Sequence, residues 1–267
     1  VLLVILSQGS DPQQMQPYYE KVFDSIDKVV HDRSDKGLIK DILSTMGSEK
    51  ETIALDKGVH AKGNIEDWLG EIEKEMQRTL KRLAEKASME CLSQPIRNFV
   101  NMSCGQFALL GIQVMWTVQC QEAFSKARTP QGKEILDVTK KHQRDVLLDL
   151  SSWCLEDLTR MNRIKIETLI TIQVHQKDVL YDLASLVTQK KLQNENDFEW
   201  LKQIRFAWNP AVSDHHGIGA CVISICDVDY KYNNEYLGCK ERLVITPLTD
   251  RAYITLSQAL GMCLGGA

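Results

Sequence analysis

Several residue groupings have the types and spacings that chemistry needs. His215-His216 stand shortly before Cys221 and Cys226, and histidine with cysteine is a zinc donor set. The spacing argues against a site, because Cys221 and Cys226 on one strand point to opposite faces. Asp227 and Asp229 fall on one face of the same expected strand, and paired carboxylates can hold Mg²⁺. A solvated sheet face accounts for them more simply. Gly217-Ile218-Gly219 opens like a phosphate-binding turn but lacks a third glycine and precedes a strand instead of a helix. The sequence contains neither G-x-x-x-x-G-K-[S/T] nor the G-x-S-x-G elbow of a hydrolase triad. His142 and His175 lie on charged helical stretches and read as surface histidines. Taken alone, the residues predict no catalytic centre and no metal site.

The composition is that of a folded globular chain. Its 267 residues are 43% hydrophobic and 25% charged. At this length about two domains are expected, with a core that needs no disulfide or metal to hold it. The formal charge of -4 is divided evenly between residues 1–195 and 196–267. No basic footprint for nucleic acid or for an acidic membrane surface results. The longest apolar run, Val1–Leu6, is far short of a bilayer span. The eight cysteines form no Cys-x-x-Cys pair and read as reduced thiols acting as small hydrophobes. Both ends start or stop abruptly, as cuts in a longer chain would.

The elements expected to position these groups fall in two parts. Residues 1–195 read mainly as helix. Met15, Tyr18, Tyr19, Val22, Phe23 and Ile26 recur at helical spacing. Thr52–Leu55 could be a short strand before a Lys57-Gly58 turn. From Asn64, a good N-cap, the residues Ile65, Trp68, Leu69, Ile72, Met76, Leu80, Leu83 and Ala87 line one helical stripe. Further helices are expected from Pro95, from about Ser103 to Arg128, and as two or three between Gln131 and Leu192. Trp68, Trp116 and Trp153 read as core. Beyond the polar stretch 190–197 the character changes. Cys221–Tyr232 alternates as one strand, Leu243–Thr246 is a short apolar run stopped by Pro247, and Thr249 or Asp250 caps a final helix from Arg251 to about Met262. The fold class expected is mainly α: an elongated helical bundle followed by an incomplete α/β segment.

Longer stretches carry a resemblance. Asp197–Phe206 resembles the place where the linker of a dynein heavy chain meets its first AAA+ module. Tyr236–Arg251, Ala252–Leu260 and Leu264–Ala267 look like the entry to that module. Gly63–Leu69, Glu73–Met76, Glu167–Ile170, Val174–Val179 and, further upstream, Leu6–Gln8 with Gln16-Pro17 resemble the C-terminal half of the linker. Leu237–Cys239 and Leu256–Met262 are more similar to axonemal than to cytoplasmic dyneins, and most similar to the outer-arm kind.

The resemblance implies a division into a helical lever, 1–195, and the start of the first AAA+ module, 196–267. It implies a motor that converts ATP hydrolysis into movement on microtubules in ciliary beating, in the axoneme and cytoskeleton. Its partners would be the rest of the ring, the microtubule through a stalk, and intermediate and light chains through a tail, with no nucleic acid and no membrane. The strip Leu243, Val244, Ile245, Thr246, Pro247 and Leu248 would help form the adenine pocket. ATP or ADP with Mg²⁺ would be held only by the complete module, since the phosphate loop of the family follows a Gly-Gly-Ala like Gly265–Ala267. This segment alone is expected to bind no cofactor and to turn over no ATP. A glycine insertion near Asn194, in the expected joint 193–210, should uncouple turnover from gliding. The alternative is a helical scaffold or adaptor, which would have no use for an α/β nucleotide module.

Overall fold

The computed structural model describes residues 12–46, 49–240 and 244–265. Several expectations therefore lie outside the described residues: Leu6–Gln8, Leu243, Gly266-Ala267 and the chain ends.

The described chain opens with a 3₁₀ turn, Pro12–Tyr18, that runs into a four-residue helix, α1 (Tyr19–Val22). The spacing of Met15 to Ile26 predicts one longer helix, and the structure corrects this: Phe23 is already extended. Pro17 has no N–H to give to a helical ladder. Gln16 instead hydrogen-bonds both backbone groups of Val29, at 2.9 and 3.2 Å, and pins the turn to the first strand.

That strand, β1 (Lys28–His31), forms an antiparallel meander with β2 (Leu38–Met46) and β3 (Glu49–His60). A helical reading of this region is therefore wrong. Register shifts between Val30 and His31 and between Ile39 and Asp41 interrupt the period-2 alternation that would reveal the strands. Thr52–Leu55 is a strand, but β3 continues through the expected turn at Lys57-Gly58. Gly58 is there for close approach, since a Cβ on it would lie 2.7 Å from Leu38 Cδ1.

Five helices follow: α2 (Ile65–Ser93), α3 (Ile96–Met102), α4 (Gly105–Ser125), α5 (Gly132–Cys154) and α6 (Arg160–Thr188). The stripe read from α2 is buried at Ile65, Trp68, Ile72, Met76, Leu80 and Ala87. Asn64 occupies the N-cap, yet its amide donates to the Asp67 carboxylate instead of serving the helix backbone. The first part of α4, Gly105–Thr117, is buried on every side, while its last turns expose Val118, Gln121, Glu122 and Ser125. A Cβ on Gly111 would meet the Phe99 ring at 2.3 Å and the Ala87 carbonyl at 3.2 Å, so glycine sets the approach of α3 and α2. Glu49 and Glu51 share one side of β3 and each serves a helix N-terminus. Glu49 accepts from the Arg160 and Met161 amides of α6, and Glu51 from the Gly105 amide of α4, all at 2.7 Å.

A short helix, α7 (Phe198–Leu201), seats Trp200 against Trp116 and Phe124, with ring centroids 5.4 and 5.1 Å apart. The chain then forms a second antiparallel meander, β4 (Arg205–Asp214), β5 (Gly217–Ile225) and β6 (Val228–Lys231). The single strand read over Cys221–Tyr232 is thus two. Cys226 takes a left-handed φ of 54° and reverses the chain with Asp227. Ile223 then faces the same way as Tyr230, and Ser224 the same way as Asp229, so even-odd alternation does not carry across the turn. Phe206, Cys221 and Tyr236 belong to the same apolar core as α2 and α4. The last helix, α8 (Pro247–Gly261), starts earlier than read. Thr246 is its N-cap, and Thr249, one of the two expected caps, sits at N3 in a capping box with it. Helices dominate the described residues, with two small sheets, as the mainly-α reading expects.

Candidate functional site

The chemistry-bearing groups of the second sheet do not converge. His215 and His216 form the β4–β5 turn, where His216 Nε2 lies 2.9 Å from Gln77 Oε1 on α2. Cys221 is buried in the core, its thiol pushed up to about 12 by burial. Cys226 sits in the next turn and donates its amide to the Leu201 carbonyl at 2.7 Å. Asp227 is in that turn while Asp229 is on β6, taking a 2.5 Å bond from Ser224, so they are not a pair on one face. Among the described residues, no three His, Cys, Asp or Glu are placed to hold a metal ion. No described helix is long and apolar enough to cross a membrane.

What the fold does assemble is a cleft of about 470 Å³ between α4, α6, the segment 203–206, the loop before α8, and α8 itself. Its apolar lining includes Trp116, Ile170, Ile204, Phe206 and Ile245, and its polar lining Gln113, His175, Gln176, Asp178, Asp250 and Tyr253. The expected adenine strip reaches this cleft in part. Val244 and Ile245 line it, Thr246 is occupied as the cap of α8, and Leu248 is 78% exposed and points elsewhere. α8 is held in place by Tyr230 Oη, which donates to the Ser257 carbonyl at 2.8 Å, and by Gly261, whose missing Cβ admits Val228.

His175 differs from the surface histidine expected of it, whereas His142 is exposed. Burial in the cleft wall lowers the His175 pKa, against the pull of the Asp250 and Asp178 carboxylates. Nothing in the sequence marks Gln176, Trp116 or Tyr253 as cleft residues. The positions of His175 and Gln176 give no signal, because α6 buries several polar residues, Lys165, Thr168 and Gln173 as well as Gln176.

Two further constellations tie the second sheet and the segment after it to the helices. Lys81 on α2 donates to Asp214 at 2.5 Å and to the Gly217 carbonyl at 2.9 Å, with only 8% and 14% of the two charged side chains exposed. Partial burial works to raise the Asp214 pKa, but the bonds from Lys81 and the His216 amide outweigh it and hold the carboxyl below its usual range. Gln106 on α4 clamps the strand exit. It donates to Tyr232 Oη at 2.6 Å and the Glu235 carbonyl at 2.8 Å, and accepts from the Leu237 amide at 2.8 Å. Tyr236 Oη donates to Glu51 at 2.6 Å, closing the joint against β3.

Comparison with known proteins gives this joint a family. The family model for the dynein heavy chain N-terminal region 2 matches residues 1–87, and that for the hydrolytic ATP binding site of the dynein motor region matches residues 232–267. The chain is 42% identical to the dynein gamma chain of the flagellar outer arm of Chlamydomonas reinhardtii. It is 41% identical to dynein axonemal heavy chain 8 of Mus musculus and 36% to the ciliary dynein beta chain of Tripneustes gratilla. Each match covers 100% of this chain, which spans only 5% or 6% of the length of these relatives. The chain belongs to the dynein heavy chain family. Within it, the similarity runs to axonemal chains, the outer-arm gamma chain among them.

The residues of the cleft suit the base of a nucleotide: apolar groups to cover ring faces and a few polar groups to meet an edge. Among the described residues, no lysine or arginine lines the cleft to meet a phosphate, and no three His, Cys, Asp or Glu are placed there to hold a metal ion.

Proposed function

We propose that this chain is the mechanical root of an axonemal dynein motor. Residues 1–195 act as the ring-proximal part of the lever, and residues 196–267 as the start of the first AAA+ module. The strip Leu243–Leu248 contributes to the adenine pocket, with ATP and Mg²⁺ held by the complete module. The full heavy chain then drives movement on microtubules in the axoneme, with the rest of its ring, intermediate chains and light chains as partners. A lever must pass force into the ring without yielding, so the junction needs desolvated, directional bonds rather than a loose tether.

The observation that supports this reading is the double attachment of residues 205–237 to the helices, through Lys81–Asp214 and through Gln106. The test uses the full heavy chain with Gln106→Leu and Lys81→Met together. ATP turnover should persist while microtubule gliding slows severalfold. Gliding at the unaltered rate, with normal turnover, would remove the lever reading.

A further inference from the structure

A second concavity, a groove of about 380 Å³, lies between α1, α2 and the strand exit at residues 233–235. Its apolar lining includes Val22, Phe23 and Leu69, and Val22 is 42% exposed. Three acidic residues line it as well, Glu66 and Glu73 of α2 and Glu235 of the strand exit. Among the described residues no lysine, arginine or histidine does. Lys74, next to Glu73 in sequence, is already paired with Glu71 at 2.9 Å, and Glu73 takes only a long 3.5 Å bond from the Gln77 amide. Gln106 grips the Glu235 carbonyl at 2.8 Å and so fixes that residue at the groove.

α2 is notched at the same place. Glu66, Gly70, Glu73 and Gln77 follow at spacings of four, three and four residues, which sets them on one line along the helix. All four line the groove. Glycine inside a helix weakens it relative to alanine. Close packing accounts for Gly111 and Gly261, but nothing lies within 4 Å of a Cβ placed on Gly70. The space left by the missing side chain opens into the groove, between the two glutamates.

We propose that this groove docks a lysine side chain from another part of the heavy chain. The unbranched stem crosses the notch at Gly70, and the ammonium sits among the three carboxylates. An ammonium offers three N–H donors on a compact charge, one for each carboxylate. The size of the groove points to the source. Ten residues line it, against about 20–30 a side in a stable complex of separate proteins. So small a contact needs a tethered partner, whose local concentration the tether supplies. This chain spans only 5% or 6% of the length of its relatives, so most of the heavy chain lies outside it. Glu66 and Glu73 fall in the region matched as N-terminal region 2, and Glu235 in the region matched as the ATP binding site. A lysine held by all three ties the lever to the module entry from outside, beside the Gln106 clamp. In this the inference rests on the reading of the chain as lever and module.

The test is carbodiimide cross-linking of the full heavy chain, which joins a carboxylate to a lysine amine as an amide with loss of water, followed by peptide mass spectrometry. Glu66, Glu73 or Glu235 should be joined to a lysine of the same heavy chain outside residues 1–267. Gly70→Leu fills the notch with a good helix former and keeps every carboxylate. It should lower the yield of that cross-link about tenfold, the size of one lost contact. Glu66→Gln with Glu73→Gln leaves Glu235 to react and should lower the Glu235 cross-link as much. Cross-links only to lysines within 1–267, of a second copy or of a separate protein overturn the proposal. So does a yield that either variant leaves unchanged. The lever reading is decided separately, by the gliding of the Gln106→Leu and Lys81→Met variant. Slowed gliding there with no such cross-link removes the docking alone. Unaltered gliding there with a cross-link that depends on Gly70 removes the lever alone.

Discussion

Lys81→Met should loosen the second sheet from α2 locally and measurably. In the folded protein the Lys81 and Asp214 side chains are 8% and 14% exposed, so the pair is nearly desolvated. Removing one member of such a pair costs about 3–5 kcal/mol, because the other charge stays buried without its partner. Asp214 keeps one bond, from the His216 amide at 2.8 Å, and it sits at a hairpin tip that can turn to water. A loss of about 2–3 kcal/mol is therefore expected. Removing both charges with Lys81→Met and Asp214→Leu should recover most of that loss. Amide hydrogen exchange across 205–225 reads the local opening free energy directly.

The pH dependence has a definite sign. The Asp214 pKa is lowered below its ordinary 3.8, so its contribution is complete above that value and is lost as pH falls through the folded pKa. Protection of the β4–β5 hairpin should be flat from pH 8 to pH 5 and should fall below about pH 4. In Lys81→Met that acid step should shrink. A single variant with unchanged protection, or a double variant as damaged as the single, would sink the desolvation argument.

Two other outcomes follow from packing and burial. Gly111→Ala should destabilise by about 1–3 kcal/mol, since the new methyl meets the Phe99 ring and the α2 backbone in a closed core. Gly70→Ala, on the same scale, should stabilise by about 0.5–1 kcal/mol, since nothing lies within 4 Å of its Cβ; paired thermal melts should shift in opposite directions. His175 binds a proton less readily folded than unfolded because burial lowers its pKa. Stability should hold above its ordinary 6.5 and decline as pH drops through the folded value, and His175→Gln should flatten that part of the melting profile.

Much of the helical part was legible because its stripes are long and uninterrupted. α2 could be read residue by residue from Ile65 to Ala87, and the buried Trp68, Trp116 and Trp153 followed from aliphatic neighbours at helical spacing. The first sheet was not legible, because two register shifts scramble its alternation and its outer face is charged. The β5–β6 turn was hidden for a related reason: both strands alternate, and the reversal at Cys226-Asp227 leaves no glycine to mark it. Of the cleft, only Val244 and Ile245 lie in the strip that the resemblance singles out. The rest of its lining was not legible, because His175 and Gln176 acquire meaning only when α6 meets the loop before α8. The polar clamps are the least legible class. Gln106 and Lys81 look like ordinary helix residues, and their partners lie more than a hundred positions away.

Those clamps change what a chain insertion should do. From sequence, the joint between lever and module lies at 193–210, and glycines added near Asn194 ought to uncouple it. In the folded chain the attachment does not run through that covalent path alone. Trp200 is fully buried between Trp116 and Phe124, and the Phe206 amide donates to Thr117 on α4 at 3.0 Å. Further along, Lys81 and Gln106 hold the hairpin and the strand exit. Force entering at α4 can cross to residues 200–237 through these bonds without loading Asn194. Lengthening the loop at Asn194 adds conformational freedom only to a segment whose two ends stay fixed, at about 0.6 kcal/mol per doubling of length. Three glycines inserted after Asn194 in the full heavy chain should therefore leave gliding close to normal. The same insertion combined with Gln106→Leu and Lys81→Met should uncouple turnover from gliding. Loss of gliding from the insertion alone would show that the covalent strand carries the load and that the clamps do not.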